Sequence, residues 1–353
     1  MNKIDLGWNP FFEKAFEPYQ HEGYHVGRVS LEHKHMYRVQ TESGEVLAEI
    51  SGKLRHNALR REDFPAVGDW VVLSVREEEQ RATIHAVLPR KSKFSRKVAG
   101  QVNDEQIVAT NVDTVFLVTA LNLDFNVRRI ERYLVLAWES GANPVIVLSK
   151  ADLSDNPEAM AAEVEAVAVG VPVHIISSAE NRGLADLAGY VTPGQTVTLL
   201  GSSGVGKSTL VNRIYGEEIL ETGDIRSGDD KGKHTTTHRE LIALPGGGIL
   251  IDTPGMRELQ LWDASEGLST SFQDIEELGT RCFFHDCKHE NEPNCAVRQA
   301  LADGSLAQDR FQNYLKLQKE LAYLARKEDK GLQAAEKAKW KKIHQAAKKQ
   351  HNR

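Results

Sequence analysis

The sequence contains no long apolar run and no feature of a secretion signal. None of its segments approaches the ~20 apolar residues that a membrane-spanning helix needs. The amino terminus, from Met1 to Trp8, has neither an apolar stretch nor a small-residue cleavage site. These absences disfavour a membrane protein and a secreted protein, so we expect a cytoplasmic protein without a membrane partner.

Acidic residues outnumber basic residues over most of the chain. The formal net charge is -6, which by itself argues against a nucleic-acid-binding protein. The exception is the segment from Arg326 to Arg353, where ten Lys or Arg face three Asp or Glu; this segment carries +7, and the rest carries -13. It is either a solvated charged helix or a basic arm for a phosphate-rich surface.

The length and the hydrophobic content indicate more than one domain. A chain of 353 residues with 41% hydrophobic residues predicts two or three globular domains, each with its own core. The residue patterns place their boundaries at 1–105, 106–262 and 263–353.

Residues 1–105 contain many short strand signals. Five segments of alternating or apolar residues are separated by turn signals such as Glu42-Ser43-Gly44. Five strands of this spacing predict a small closed β-barrel, with the OB-fold as the best match. The predicted strands are 27–31, 36–40, 46–50, 69–75 and 82–88.

A basic run follows the last of these strands. It surrounds Phe94 and comprises Arg90, Lys91, Lys93, Arg96 and Lys97. Barrels of this type bind RNA through basic grooves and stacking aromatic side chains, so the run is a candidate RNA contact. The alternative, which we favour on the sequence alone, is an ordinary exposed linker.

Residues 106–262 alternate strand signals with helix signals. Such alternation predicts an α/β domain with a mostly parallel sheet and helices on both faces. Ligands of these sheets bind beyond the carboxyl ends of the strands. The predicted strands are 114–121, 144–148, 173–176, 196–200 and 248–251, and the predicted helices are 127–140 and 158–168. Residues 263–353 are predicted to be α-helical around one cysteine-rich loop, with helices at 315–326 and 331–350.

A phosphate-binding loop (P-loop) gives the strongest functional signal. Gly201-x-x-x-x-Gly206-Lys207-Ser208 follows a predicted strand and precedes a helical run at 209–214. In such loops, backbone N–H groups and the helix amino terminus face the phosphates. We expect Lys207 to reach the β- and γ-phosphates and Ser208 to coordinate magnesium. The predicted contacts are Gly201, Ser202, Ser203, Gly204, Val205, Gly206, Lys207, Ser208 and Thr209.

Guanine recognition is predicted at Ser149-Lys150-Ala151-Asp152. The Asp152 carboxylate can accept the two hydrogen bonds that guanine donates through N1–H and its exocyclic amine, a donor pair that adenine lacks. Lys150 would pack along the base. Ser149 stands where Asn is usual, and its shorter side chain predicts retained specificity with modest affinity. Ser177-Ser178-Ala179, after another strand, would supply a backbone N–H to the guanine carbonyl.

Two further segments are candidate sensors of the γ-phosphate. Asp252-Thr253-Pro254-Gly255 follows a strand, so Asp252 is expected in the magnesium shell and the Gly255 amide on the γ-phosphate. Between the P-loop and Asp252 lies the segment Lys233-His234-Thr235-Thr236-Thr237-His238. One of its threonines, Thr236 or Thr237, is expected to complete the magnesium sphere.

The chain lacks a glutamine after Gly255, where Ras-like enzymes place the group that orients the attacking water. Met256 stands there, and a thioether cannot polarise water, so we expect slow intrinsic hydrolysis. His234 is the first candidate for positioning the water, and His238 is the second. The alternative is that both histidines contact only RNA or solvent.

All three cysteines fall within fourteen residues, as Cys282-x4-Cys287-x-His289-x5-Cys295. Three thiolates and one imidazole form a closed tetrahedral set, which favours one structural zinc ion. In a reducing cytoplasm such a cluster indicates a metal rather than a disulfide. From the residues alone His285 could replace His289, and unmetallated buried cysteines are the other alternative.

The base-recognition motif precedes the P-loop, the reverse of the Ras-like order. This order, the Lys233 to His238 segment, the barrel and the cysteine loop resemble the ribosome small-subunit-dependent GTPase A family, circularly permuted GTPases of bacterial ribosome biogenesis. The resemblance covers nearly the whole chain and places the zinc ligand at His289.

The resemblance implies a GTPase that binds the small (30S) ribosomal subunit and its rRNA. It implies magnesium with GTP, and hydrolysis stimulated by the subunit late in its maturation. We expect a monomer. Two other functions remain open: a P-loop ATPase or small-molecule kinase, against which Asp152 argues, and a non-catalytic RNA-binding scaffold.

Overall fold

The fold is seen in a computed structural model, which describes residues 2–33, 36–97, 105–220, 239–252 and 265–328. The described residues up to Asp252 belong to one compact unit, and those from Ser265 onward belong to a second. The boundaries predicted at residues 105 and 262 stay predictions. No helix in the described ranges is long and apolar enough to cross a membrane.

Five strands near the amino terminus close into a barrel: β1 (His25–His33), β2 (Met36–Thr41), β3 (Gly44–Ile50), β4 (Trp70–Arg76) and β5 (Arg81–Val87). The ring closes because β1 pairs with both β2 and β4, while β5 joins β3 to β4. Alternating apolar side chains such as Val29, Val39 and Ile84 fill the interior. The predicted OB-like barrel and its five strands are confirmed.

Two helices accompany the barrel. The first, α1 (Pro10–Gln20), begins at Asn9, whose side chain accepts a hydrogen bond from the Phe11 N–H. Its apolar side packs Phe12 and Phe16 against Trp8 and Trp70. The second, α2 (Gly52–Asn57), follows β3 and begins at Ser51, whose hydroxyl accepts from the Leu54 N–H.

The basic run after the barrel is part of the fold, so the alternative of an ordinary exposed linker was wrong, whereas the candidate RNA contact stays a prediction. Lys93, Arg96 and Lys97 lie on β6 (Lys93–Lys97), which pairs with β7 (Glu105–Thr110). Phe94 is 2% exposed and cannot stack on a base. Arg90 makes a bidentate ion pair with Asp69 at 2.8 and 2.7 Å, and Lys93 pairs with Glu105 at 3.0 Å.

The α/β region contains five neighbouring parallel strands: β8 (Thr114–Ala120), β9 (Asn143–Ser149), β10 (Val173–Ile175), β11 (Thr196–Leu200) and β13 (Ile249–Asp252). Their order is β10-β9-β8-β11-β13, so the predicted parallel sheet is confirmed. Three helices connect strands of this region: α3 (Val127–Ser140), α4 (Pro157–Glu165) and α5 (Lys207–Tyr215).

A short antiparallel strand that the sequence did not reveal, β12 (Glu240–Ala243), lies beside β13. On its other side β12 pairs with barrel strand β1, through Leu31 and Glu240. The barrel and the α/β region therefore share one sheet of eleven strands.

A buried arginine also joins the two regions. Arg28 of β1 donates to the Leu6 carbonyl at 2.6 Å, the Thr196 hydroxyl at 2.8 Å, the Asn111 carbonyl at 3.0 Å and the Gly68 carbonyl at 3.1 Å. Burial lowers its pKa to about 10, against the opposing effect of Asp113 and Asp69. The guanidinium therefore stays charged at neutral pH, solvated by the acceptors that it holds together.

The second unit is helical, with α6 (Ser265–Ser271), α7 (Gln273–Thr280), α8 (Ala296–Asp303) and α9 (Gln308–Glu328). Arg310 of α9 holds Asp274 of α7 through two hydrogen bonds of 2.8 and 2.7 Å. The predicted helix 315–326 lies within α9. The predicted helix 331–350 and most of the basic segment lie outside the described residues.

Candidate nucleotide and metal sites

The P-loop links strand β11 to helix α5. Gly206 is the residue before the helix and has a φ of +94°, a left-handed conformation that favours glycine. A Cβ at Gly201 would lie 2.3 Å from the carbonyl oxygen of Val118 in β8. These two glycines are therefore required by backbone conformation and by close packing, as the motif predicts.

Lys207 lies over its own loop. Its Nζ donates to the carbonyl oxygens of Gly201 at 2.8 Å and Ser202 at 2.6 Å. Ser208 and Thr209 follow in the first turn of α5, where the backbone N–H groups form an anion-binding helix terminus. The ammonium and the helix terminus thus provide positive charge at the same end of the sheet.

Ser149, at the end of β9, contacts the P-loop directly. Its hydroxyl donates to the Val205 carbonyl at 2.6 Å and also lies 3.3 Å from the Thr119 carbonyl. The side chain therefore reaches the P-loop although it is shorter than asparagine. The modest nucleotide affinity expected from Ser149 stays a prediction.

The two predicted base-recognition segments lie side by side. The Ser177 hydroxyl donates to Asp152 Oδ1 at 2.5 Å and accepts from the Glu180 N–H at 3.1 Å. Ser177 is buried, whereas Asp152 is exposed. Lys150 has a φ of +58°, which turns the chain sharply after β9. Ser178 and Ala179 follow Ser177, half-buried and exposed respectively.

Asp252 ends β13, the strand beside β11. Because these strands are parallel, Asp252 and the P-loop lie at the same edge of the sheet. The other predicted sensor residues, His234, Thr236, Thr237, His238, Gly255 and Met256, lie outside the described residues.

Sequence reasoning missed two side chains that contact Ser202 of the P-loop and a third that pairs with one of them. Arg129 of α3 donates to the Ser202 hydroxyl at 2.9 Å, and the Tyr133 hydroxyl lies 3.4 Å from the same oxygen. Asp124 pairs with Arg129. The spacing of Arg129 and Tyr133, four residues apart on a predicted helix, indicated one shared helix face, but not the loop that this face contacts.

The cysteine loop lies between α7 and α8. It brings together one ligand atom from each of Cys282, Cys287, His289 and Cys295, all within 4.8 Å of one another. The Sγ atoms of Cys282 and Cys295 are 3.8 Å apart, and His289 Nδ1 lies 3.6 and 3.4 Å from them. Tetrahedral zinc, with bonds of about 2.3 Å to sulfur and 2.0 to 2.1 Å to nitrogen, requires ligand separations of about 3.5 to 3.8 Å. The residues present fit zinc.

The surroundings of this cluster support metal binding. Cys295 precedes α8, where its Sγ lies 3.5 Å from the Arg298 N–H. Burial raises the pKa of the Cys282 thiol, but hydrogen bonds from the N–H groups of Val297 and Ala296, together with those to Cys295 and Cys287, hold the pKa below its ordinary value. His289, rather than His285, is the histidine that lies with the three thiols.

The fold and the nucleotide site define a circularly permuted P-loop GTPase, because strand β9 with its base-recognition motif precedes β11 and the P-loop along the chain. The family model described as RsgA GTPase matches residues 87–262. A model described as ABC transporter matches residues 184–350, a range that includes the P-loop shared by many nucleotide hydrolases.

Named relatives and solved structures agree with this class. The small ribosomal subunit biogenesis GTPase RsgA of Opitutus terrae is 49% identical over 98% of this chain and 96% of its own length. RsgA 1 of Oceanobacillus iheyensis is 48% identical over 92% of this chain and 93% of its own length.

Two crystal structures share the fold. YjeQ from Thermotoga maritima has a TM-score of 0.65 and 30% identity, covering 85% of this chain and 99% of that one. YloQ, a circularly permuted GTPase, has a TM-score of 0.63 and 27% identity, covering 86% of this chain and 97% of that one. This chain belongs to the RsgA GTPase family and is a GTP hydrolase.

Proposed function

We propose that this protein binds the small ribosomal subunit through its rRNA and hydrolyses GTP on it during late maturation of the subunit. The observation that carries the proposal is the hydrogen bond between Ser149, in the predicted base-recognition motif, and Val205, in the P-loop. It occurs in a chain that is 49% identical to a small ribosomal subunit biogenesis GTPase. The protein would act in the cytoplasm as a monomer that alternates between GTP and GDP.

The residues at the sheet edge suit a magnesium-bound guanine nucleotide. Asp152 would accept from the guanine N1–H and amine, and the segment Ser177 to Ala179 would contact its carbonyl. Lys207 would pair with the β- and γ-phosphates, with the Gly255 amide on the γ-phosphate. Ser208 and Asp252 would hold magnesium, together with Thr236 or Thr237. When bound, the metal neutralises charge that develops on the phosphates.

Water positioning would fall to His234, because Met256 offers no polar group at the position of the usual glutamine. The imidazole can accept a proton or orient water, whereas the thioether can do neither. Slow intrinsic hydrolysis and stimulation by the subunit follow from this assignment.

One structural zinc ion in the second unit is part of the proposal. Cys282, Cys287, His289 and Cys295 supply a complete tetrahedral set with separations that suit zinc. The ion would hold the loop between α7 and α8 in one conformation, and it would leave no open position for catalysis.

The barrel offers a surface for rRNA on the segment from Gly52 to Arg61. This cationic segment exposes Lys53, Arg55, Arg60 and Arg61 to solvent. Of these, Arg60 pairs with Glu62 at 3.4 Å, and among the described residues the other three form no ion pair. Exposed cations without carboxylate partners can release counterions from RNA on binding, which favours a phosphate-rich partner.

Co-sedimentation with purified small subunits tests the binding step. We expect the protein to pellet with the subunits in the presence of a non-hydrolysable GTP analogue and to remain in the supernatant with GDP. Large subunits provide the matched control. Failure to pellet with small subunits in either nucleotide state would reject the proposal.

A further inference from the structure

Arg129 connects helix α3 to the P-loop and has no role in the motifs that define a GTPase. Its Nη1 donates to the Ser202 hydroxyl at 2.9 Å and to Asp124 Oδ2 at 2.5 Å, and its Nη2 donates to Asp124 Oδ1 at 2.9 Å. The side chain is 29% exposed, so bulk water only partly screens these contacts. A bidentate carboxylate partner holds the guanidinium plane in one orientation.

Ser202 is held at both of its oxygen atoms. Its hydroxyl accepts a hydrogen bond from Arg129 and lies 3.4 Å from the Tyr133 hydroxyl. Its backbone carbonyl accepts a hydrogen bond of 2.6 Å from Lys207 Nζ. Ser202 follows Gly201 directly, at the point where the chain leaves β11 and begins to wrap the phosphates. A shift at Ser202 would therefore displace both the loop amides and the lysine.

Helix α3 is held by contacts other than the Arg129 side chain as well. The helix begins at Asn126, whose side chain accepts from the backbone N–H of Arg129 at 3.1 Å. Its buried face includes Ile130 and Leu134. The guanidinium therefore contacts the P-loop from a helix that a cap and a buried face support.

We propose that Arg129, oriented by Asp124, is a positioning residue for the nucleotide: it holds Ser202 so that the P-loop is already arranged to receive the β-phosphate. Because GDP and GTP share that phosphate, Arg129 supports the binding of both. This role requires only that the protein binds and hydrolyses GTP, and it does not depend on binding to the ribosomal subunit.

Nucleotide titration and single-turnover hydrolysis with the full-length protein test the role. Because Arg129→Ala removes a charge-assisted hydrogen bond, we predict that it weakens the binding of GDP and of GTP about 10-fold. The loss should appear as faster nucleotide dissociation, with the hydrolysis rate at saturation nearly unchanged. Arg129→Lys should recover part of the affinity, because an ammonium cannot reproduce the bidentate pair. Arg213→Ala, at an exposed cation on α5, is the matched control.

A double-mutant cycle separates this role from a general structural one. If Arg129 acts through the Ser202 hydroxyl, Arg129→Ala in a Ser202→Ala background should cost little further affinity. Asp124→Asn should give an intermediate loss, with the thermal midpoint close to that of the parent. Additive losses at 129 and 202, or unchanged nucleotide dissociation in Arg129→Ala, would overturn the proposal.

Discussion

Ser149 shows how one side chain can connect the two halves of a nucleotide site. Its position in the sequence identifies it as part of the base-recognition motif, but its observed contact is with the P-loop carbonyl of Val205. The hydroxyl is buried, so water does not replace this hydrogen bond easily. Ser149 therefore links the segment proposed to recognise guanine to the P-loop.

We predict that Ser149→Ala weakens GTP and GDP binding about 5- to 10-fold, because a buried carbonyl loses its donor at a cost of about 1 to 1.5 kcal/mol. Titration with a fluorescent guanine nucleotide measures the loss. Ser154→Ala, a few residues further along, is the control, since its hydroxyl contacts Met160 and the Asn156 N–H rather than the P-loop. Unchanged affinity in Ser149→Ala would show that the Val205 contact is dispensable.

His234 carries the catalytic part of the proposed function. We predict that His234→Ala abolishes hydrolysis stimulated by small subunits and leaves GTP binding intact, because an uncharged methyl group cannot orient the attacking water. Multiple-turnover phosphate release, measured with and without subunits, checks this. His238→Ala is the matched variant, and normal stimulated turnover in His234→Ala would exclude His234.

The residues of the nucleotide site were predictable where a local motif specified them. The P-loop has fixed spacing and a strand before it, and Asp152 stands at a fixed distance from Lys150. Arg129 was not predictable, because its partner Ser202 lies 73 residues away and no local pattern relates the two positions. The basic run around Phe94 was interpreted as an exposed linker for the converse reason: the sequence showed its charges but not its strand pairing or the carboxylates that pair with Arg90 and Lys93.

At the scale of elements, the cysteine loop is the clearest case in which the spacing of candidate metal ligands predicts a structural cluster. Two histidines follow Cys282 within seven residues, and the fold confirms that His289, the histidine indicated by the family resemblance, lies with the sulfurs. His289 has a positive φ of +60°. Replacing His289 with alanine should therefore affect metal binding far more than the same substitution at His285.

We predict that His289→Ala loses most of its zinc and melts at a lower temperature, whereas His285→Ala keeps one zinc per chain. The physical reason is that structural zinc supplies folding energy to the loop that holds it. Metal analysis of purified protein and thermal denaturation, with and without a chelator, provide the measurements. Equal zinc content in the two variants would contradict the ligand assignment, and zinc-free folded parent protein would reject the site.

The cationic segment of the barrel gives a prediction about RNA. Replacing Lys53, Arg55 and Arg61 with alanine should weaken binding to small subunits. Each phosphate contact with single-stranded RNA contributes ~0.7 to the slope of log affinity against log salt concentration, so the loss of three contacts should reduce the magnitude of that slope by about 2.

Basal GTP turnover should be unchanged in this variant. Arg76→Ala, at an exposed arginine that pairs with Glu79 at 3.1 Å, is the control on the same barrel. An unchanged salt slope in the triple variant would place the RNA contact elsewhere.

Most strands were predictable because their residues alternate or form apolar runs over five or more positions. Strands β6, β7 and β12 were not predicted, and β12 is stabilised by its pairing with β1 and β13 rather than by a pattern in its own four residues. Helix α1 was missed because strand signals dominate the region around it, although Asn9 and Pro10 form an amino-terminal cap. In both cases tertiary pairing or packing, rather than local preference, stabilises the element.

At the scale of the whole molecule, strand β12 joins the barrel to the α/β region. In the first unit, β12 follows the Lys233 to His238 segment along the chain and pairs with barrel strand β1. The barrel is thus joined to the strand next to β13, which ends in Asp252.

Arg28 strengthens that connection. Its hydrogen bonds join the amino-terminal segment at Leu6, the barrel at Gly68 and the strand before the P-loop at Thr196. A buried guanidinium with several carbonyl acceptors is costly to displace, so it favours joint movement of these segments. These contacts make the barrel and the nucleotide-binding edge of the sheet parts of one compact unit.

The most direct test of the central claim is the rate of GTP hydrolysis by the purified full-length protein, with and without small ribosomal subunits. We predict that the protein alone hydrolyses GTP slowly and that small subunits accelerate hydrolysis at least about tenfold, which corresponds to a decrease of about 1.4 kcal/mol in the activation barrier. Large subunits should not accelerate it. Equal rates in the three conditions would contradict this prediction.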